Sequence, residues 1–199
     1  VSEGQRLTNL INDVLDISKM EAGRMEWKTA PLDVSALVDR AVEATAALFP
    51  QAQPHAPAPA VVFARDVEGS LPSIEGDFDR LLQVLINLIS NAAKFTDKGS
   101  VAVRARRHAN VIELSVKDTG NGIELADQAA IFEKFKQVGD TLTNKPKGTG
   151  LGLPICKQIV TAHGGTLSLG ASEALGGARV RVVLRREGPP EEADASVGR

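Results

Sequence analysis

Asn87, Asn91 and Lys94 recur at spacings of four and three within NLISNAAKF, so a helix carries them on one face that is otherwise apolar. Carboxamide oxygens suit a hard cation that keeps several waters and phosphate ligands, which describes magnesium on a nucleotide. Two asparagines can equally cap or bridge neighbouring loops. A second segment, DTGNGI from Asp118 to Ile123, follows directly on an alternating, strand-like run. Gly120 and Gly122 let the backbone turn sharply and approach a ligand, and Asp118 offers an acceptor for an exocyclic amine such as that of adenine. A tight strand-to-loop turn uses the same residues.

In a third segment, IFEKFKQ, Phe132 and Phe135 stand three apart and are expected in the core. The fourth is KGTGLGLPIC, where Gly148, Gly150 and Gly152 precede a helix whose first-turn amides make an anion site. A flexible hinge is the plainer reading of such glycines, but their alternation with threonine and leucines is unusual. The common phosphate loops do not account for it. The chain contains no Gly-Lys pair, which the P-loop requires, and Leu153 takes the place of the third glycine of a dinucleotide fingerprint.

The elements that must position these segments are legible from periodicity. Leu7, Leu10, Val14 and Ile17, widened by Ile11 and Leu15, predict an amphipathic helix with Asn9, Asp13, Asp16 and Lys19 opposite, stopped at Gly23. Its stripe is too narrow for the main core and suits a helical bundle or dimer seam. An extended joint runs from Trp27 to Pro31, and a second helix is expected from Asp33, its cap, to Leu48. Residues 50–59, with four prolines, read as a loop. Val61 to Phe63 reads as a strand, and Asp77 opens a third helix with Leu81, Leu82, Leu85, Leu88 and Ile89 inward.

Ser100–Arg106 and Val111–Val116 alternate as a hairpin around Ala109 and Asn110. A short helical piece near Ala129–Phe135, a polar and mobile stretch from Lys136 to Thr149, and a last helix from Leu151 to Ala162 follow. Strands Thr166–Leu169 and Ala178–Leu184 close the domain, and residues 187–199 read as a disordered tail. The expected fold class is α+β, a two-layer sandwich with a mixed sheet and helices on one face, preceded by an N-terminal helix. The expected division is 1–28 helix and joint, 29–186 main domain and 187–199 tail.

Composition narrows the function classes. A formal net charge of −2 and 4% aromatic residues give neither the basic excess nor the stacking surface of a nucleic-acid binder. Cys156 is the only cysteine, which excludes an internal disulfide framework and suits a reducing, cytoplasmic setting. The longest apolar run, near Leu81–Ile89, falls short of the roughly 20 residues that span a bilayer, so no membrane contact is expected of this segment.

In order and separation, the four segments resemble the N box, first glycine box, F box and second glycine box of sensor histidine kinases in the GHKL superfamily. LINDVLDISKMEAGRMEW resembles the end of their second dimerisation helix and its joint. The resemblance implies that Asn87 and Asn91 sit at Mg²⁺ and the phosphates of ATP, with Asn91 the direct ligand. Lys94 contacts phosphates or ribose, and Phe95 covers the adenine. Asp118 takes the adenine amine, with Gly120, Gly122 and Ile123 around it. Lys147, Gly148, Thr149, Gly150, Leu151, Gly152 and Leu153 close on the triphosphate, and residues 136–149 form the lid.

The superfamily's ATPases carry a water-activating glutamate where Asn87 stands, and an asparagine cannot be that base. The resemblance therefore implies a kinase that presents ATP to a histidine, with Asn87 and Lys94 nearest the chemistry. Its implied partners are its own dimerisation and histidine-phosphotransfer domain, a response-regulator receiver domain and a second copy. His55, His108 and His163 lack the acidic neighbour and following proline of the family's phosphoacceptor motif, so the target histidine is expected outside this segment, which could not autophosphorylate alone. Lys134, Lys136 and Gln137 replace the arginines many members carry around the F box. Two other readings stay open: a protein serine kinase of the anti-sigma type, disfavoured by the N-terminal helix, and a nucleotide-sensing pseudokinase.

Overall fold

The computed structural model describes residues 3–49, 60–137, 148–171 and 177–186. The proline-rich segment, most of the lid with Lys147, and the tail lie outside them. Helix α1 (Glu3–Glu21) ends where the Gly23 and Arg24 amides bond back to the Met20 and Lys19 carbonyls, a Schellman stop at the expected glycine. Strand β1 (Thr29–Leu32) follows, then helix α2 (Val34–Thr45), whose N-cap Asp33 accepts from the Ser35 and Ala36 amides at 2.7 and 3.2 Å. A 3-10 turn at Ala46–Leu48 continues it.

Strand β2 (Val61–Val67) is longer than its apolar start suggests, and a second short strand, β3 (Ile74–Asp77), pairs antiparallel with β1. Neither short strand was expected as a strand, although the joint was expected to be extended. Helix α3 (Phe78–Phe95) carries the first chemical segment. Its inner stripe is Leu81, Val84, Leu85, Leu88, Ile89 and Ala92, so Val84 takes the buried place expected of Leu82, which is only partly covered. Leu82 keeps helical spacing with Leu85 and Ile89 but packs against the core only in part, at the edge of the stripe.

The remaining strands are β4 (Gly99–His108), β5 (Val111–Asp118), β6 (Thr166–Ala171) and β7 (Ala178–Arg185), with helix α4 (Gly152–Ala162) before β6. The five-stranded sheet runs β2-β4-β5-β7-β6; β2 and β4 are parallel and the other pairs antiparallel. The hairpin turns at Ala109, which adopts φ +49°. Among the described residues, helices pack on one face of the sheet. Val101, Val103, Ala105, Ile112, Leu114, Val182 and Leu184 are buried beneath α2, α3 and α4. The other face presents Arg104, Arg106, Lys117, Arg179 and Arg181, with Asp66 and Glu113 paired among them. This is the α+β sandwich that the periodicity implied.

Helix α1 corrects the reading of its own stripe. Leu7, Ile11, Val14 and Leu15 are exposed, but Ile17 is buried in the main core and Leu10 and Met20 pack against that core. A stripe read as one face is thus shared between open surface and the domain. Among the described residues no helix is long and apolar enough to cross a membrane.

Candidate functional site

Helix α3 is anchored before it reaches the site. Asp77 caps it by accepting from the Arg80 amide at 3.2 Å, and the other oxygen accepts from the Lys28 amide at 2.9 Å. The Asp77 amide donates to His163 Nε2 at 2.9 Å, while Nδ1 lies 2.8 Å from the Ile159 carbonyl. An amide can only donate and a carbonyl only accept, so Nδ1 carries the ring proton and the imidazole is neutral. Buried His163 pins α4 to the start of α3 through these two hydrogen bonds.

Asn87, Asn91 and Lys94 are half-buried along α3. Asn87 faces the start of α4: a Cβ on Gly152 would lie 3.8 Å from its carboxamide. Lys94 Nζ lies 5.0 Å from the Phe95 ring centroid, and a Cβ on Gly148 would be 3.4 Å from it. Phe95 itself is exposed at the helix end. The N-box ridge and second glycine box therefore face one another.

Asp118 ends β5 and is buried. Its Oδ1 accepts from the Gly120 amide at 2.9 Å and the Ala178 amide at 3.1 Å, which fixes the carboxylate and directs its remaining acceptor capacity elsewhere. Gly120 is packed so closely on the end of α3 that a Cβ there would collide with the Phe95 carbonyl oxygen. Gly122, at φ +71°, and half-buried Ile123 continue the turn, and the Ile123 carbonyl accepts from Gln128 Nε2 at 3.2 Å.

The second glycine box is braced by the F box. The Phe135 amide donates to the Gly150 carbonyl at 3.1 Å, and Gln137 Nε2 donates to the Gly148 carbonyl at 2.6 Å. Gly150 has φ +72°, and a Cβ there would fall 2.8 Å from the Phe135 backbone. The helix start itself has no side-chain cap: Thr149 Oγ accepts from the Leu151 amide at 3.2 Å, and Leu151 is fully buried. Because Pro154 has no N–H, the Gly152 and Leu153 amides are the donors of the first turn.

The expectation that both F-box phenylalanines are core is overturned. Ile131 is buried instead; Phe132 is half-buried beneath the Lys157 ammonium, and Phe135 is 64% exposed with φ +61°. Its backbone, held by Gly150, takes a left-handed turn that points the ring out of the core. Cys156 is buried packing: its thiol donates weakly toward the Val84 carbonyl at 3.8 Å, and burial pushes its pKa up to about 12.

Sequence reasoning placed Asp13 and Asp16 on an open polar face of α1, yet both turn toward the domain. Asp16 pairs with Arg80 at 2.6 Å and Glu21 pairs with Lys134, while Asp13 is half-buried. Burial, then the adjacent Asp16 carboxylate, holds the Asp13 carboxyl above its ordinary value. No local pattern could reveal these partners, because each lies far away in sequence. A separate cavity of about 510 Å³ lies between the joint and α4, lined by Met20, Met25, Trp27, Phe132, Lys157 and Gln158 among others; none of the sequence-predicted site residues lines it.

Comparison with known proteins meets the same assembly. A family model described as histidine kinase-, DNA gyrase B-, and HSP90-like ATPase matches residues 76–188, more than half of the chain. The non-motile and phage-resistance protein of Caulobacter vibrioides is 40% identical over 174 residues, covering 84% of this chain and 20% of that protein. The circadian input-output histidine kinase CikA of Synechococcus elongatus is 35% identical, covering 83% of this chain and 22% of CikA. Full-length ShkA in complex with AMPPNP matches with a TM-score of 0.75 at 32% identity, covering 91% of this chain and 36% of ShkA. The catalytic domain of histidine kinase ThkA, with a TM-score of 0.64 at 23% identity, shares the fold. The chain spans about a fifth of the length of the two curated relatives. With its carboxamide ridge, pinned aspartate and glycine-braced helix start gathered around one helix pair, and with these matches, the chain belongs to the histidine kinase-, DNA gyrase B-, and HSP90-like ATPase family.

Proposed function

We propose that this chain is the ATP-binding catalytic domain, residues 29–186, of a two-component sensor histidine kinase, with residues 1–28 the end of a dimerisation helix and its joint. The observation that carries the reading is the convergence of Asn87 and Lys94 on the second glycine box while Asp118 is fixed at the same end of α3. Asp118 would accept the adenine amine beside Gly120, Gly122 and Ile123, and Phe95 would cover the base. Asn91, helped by Asn87, would hold magnesium through carboxamide oxygen, and Lys94 with residues 147–153 would surround the phosphates. The donor set fits such a group: half-buried carboxamides, one cation and the open Gly152 and Leu153 amides suit a hydrated hard ion and a polyanion.

Magnesium would neutralise charge on the phosphates during transfer. Asn87 cannot take a proton from water, so the site would present the γ-phosphoryl to another nucleophile, a histidine beyond these residues. A histidine-phosphotransfer domain, a receiver domain and a second copy, meeting in the cytoplasm, are the partners of this reading.

Titrating a fluorescent ATP analogue with magnesium tests it. Wild type should bind, and Asn91→Ala and Asp118→Ala should each weaken binding by about tenfold or more, the loss expected when a buried charge-assisted or metal contact is removed. Equal affinities for all three would remove the nucleotide assignment. Adding a separately prepared dimerisation domain should then yield an acid-labile phosphohistidine; binding without transfer would favour a nucleotide sensor.

A further inference from the structure

The cavity of about 510 Å³ beside the joint takes its walls from two parts of the chain. Met20 from the end of α1, with Met25 and Trp27 from the joint, forms one side, and Phe132 and α4 form the other. Its size suits a molecule of roughly two or three rings, and a mainly apolar, partly aromatic lining is the kind that holds one. The joint side is fixed by contacts outside the cavity. Arg80 Nη2 lies 3.7 Å from the Met25 sulfur while Nη1 holds Asp16, Trp27 stands edge-on to His163, and the Lys28 amide donates to Asp77. The space is thus preformed, with walls that are held from behind.

The charged and amide groups on these walls point to one chemistry. Two ammonium groups, Lys134 and Lys157, line the cavity, and no acid does. Lys134 is paired with Glu21, but among the described residues Lys157 has no ion pair; its Nζ lies 5.5 Å over the Phe132 ring, which leaves a positive charge against an aromatic face. On the same wall stands Gln158, whose Oε1 is buried with no hydrogen-bond partner. A buried acceptor left without a donor costs free energy. The terminal torsion of a glutamine is soft, so a small rotation turns this oxygen to a donor placed in the cavity. A cation, aromatic walls and an orphaned acceptor together specify a flat ring system that bears an acidic group and an N–H or O–H.

We propose that this cavity is a binding site for a small planar aromatic anion carrying a hydrogen-bond donor, and that its occupant ties the joint to α4. Lys157 meets the acidic group, Trp27 and Phe132 cover the rings, and Gln158 accepts from the donor. Because the walls belong to both sides, the ligand favours the seated joint by its differential affinity for that arrangement. No residue assigned above to the nucleotide lines the cavity, so the site stands independently of that reading.

The probe is 1-anilinonaphthalene-8-sulfonate, which has fused rings, a sulfonate and an anilino N–H, titrated into the whole chain and followed by its own emission and by calorimetry. Wild type should bind one equivalent. Lys157→Met should weaken binding about fivefold or more, as loss of a charge-assisted contact does, whereas Lys117→Met, which removes the same charge from the open sheet face, should leave it unchanged. Thr161→Phe, which fills the cavity from α4, should weaken it about tenfold or more. N-phenyl-1-naphthylamine, the same rings without the sulfonate, should bind more weakly than the anion and be indifferent to Lys157→Met. Amide exchange over residues 20–28 should slow in the presence of the anion. Lys157 is exposed, so its variant keeps the fold and decides the matter if Thr161→Phe does not. Absence of binding, several weak equivalents, an equal loss in Lys117→Met, full affinity in Lys157→Met or in a folded Thr161→Phe, or unchanged exchange in the joint would each overturn the proposal. Displacement by ATP with magnesium would do the same, by putting the probe in the nucleotide site.

Discussion

At the scale of single residues, environment rather than identity decides role. Asp118, Asp77 and Asp13 are all acids, yet the first is locked by two amides, the second caps a helix and ties down the joint, and the third lies half-buried near the like charge of Asp16. Cys156 shows the same dependence. A buried thiol pushed up to about 12 offers almost no thiolate at neutral pH, so native protein should react with a thiol reagent orders of magnitude more slowly than protein in denaturant. Rapid labelling of the native chain, followed by mass spectrometry, would contradict that burial.

Between elements, the decisive contacts are backbone against backbone. Gly120 lies on the end of α3 so tightly that any side chain must push the first glycine box away from Phe95. Gly120→Ala is therefore expected to lower nucleotide affinity by about tenfold or more and to cost stability on the order of 1–3 kcal/mol, as overpacking does. Parallel binding and urea-unfolding curves would check this; an alanine variant with unaltered affinity would mean that the turn can move without consequence. The F box acts similarly on the other side, where the Phe135 amide holds Gly150.

Across the whole molecule, His163 joins the end of α4, the start of α3 and, through Trp27, the joint. His163→Ala strands the buried Asp77 amide and should destabilise the domain by roughly 1–3 kcal/mol in urea unfolding. What was legible in the sequence follows from range. Asp33, Gly23 and the turn at Ala109 act on neighbours a few residues away, so their roles could be read directly. The candidate site segments stand out because glycines and carboxamides recur there at fixed spacings.

Long-range arrangement was harder to read. Strands β1 and β3 are four residues each, one contains Pro31, and they pair across some forty residues, leaving no alternation to detect. The division of α1 between solvent and core, and the pairing of Asp16 with Arg80, depend on a surface built by the rest of the chain.

Trp27 is the sole tryptophan, and it stands edge-on to His163 with ring centroids 5.4 Å apart on the wall of the cavity beside the joint. Its emission therefore belongs to one place only. Lifting the joint would carry the indole from beside an imidazole into water, so a red shift and a change in intensity report that movement in unlabelled protein, with no second fluorophore of its kind to dilute the signal.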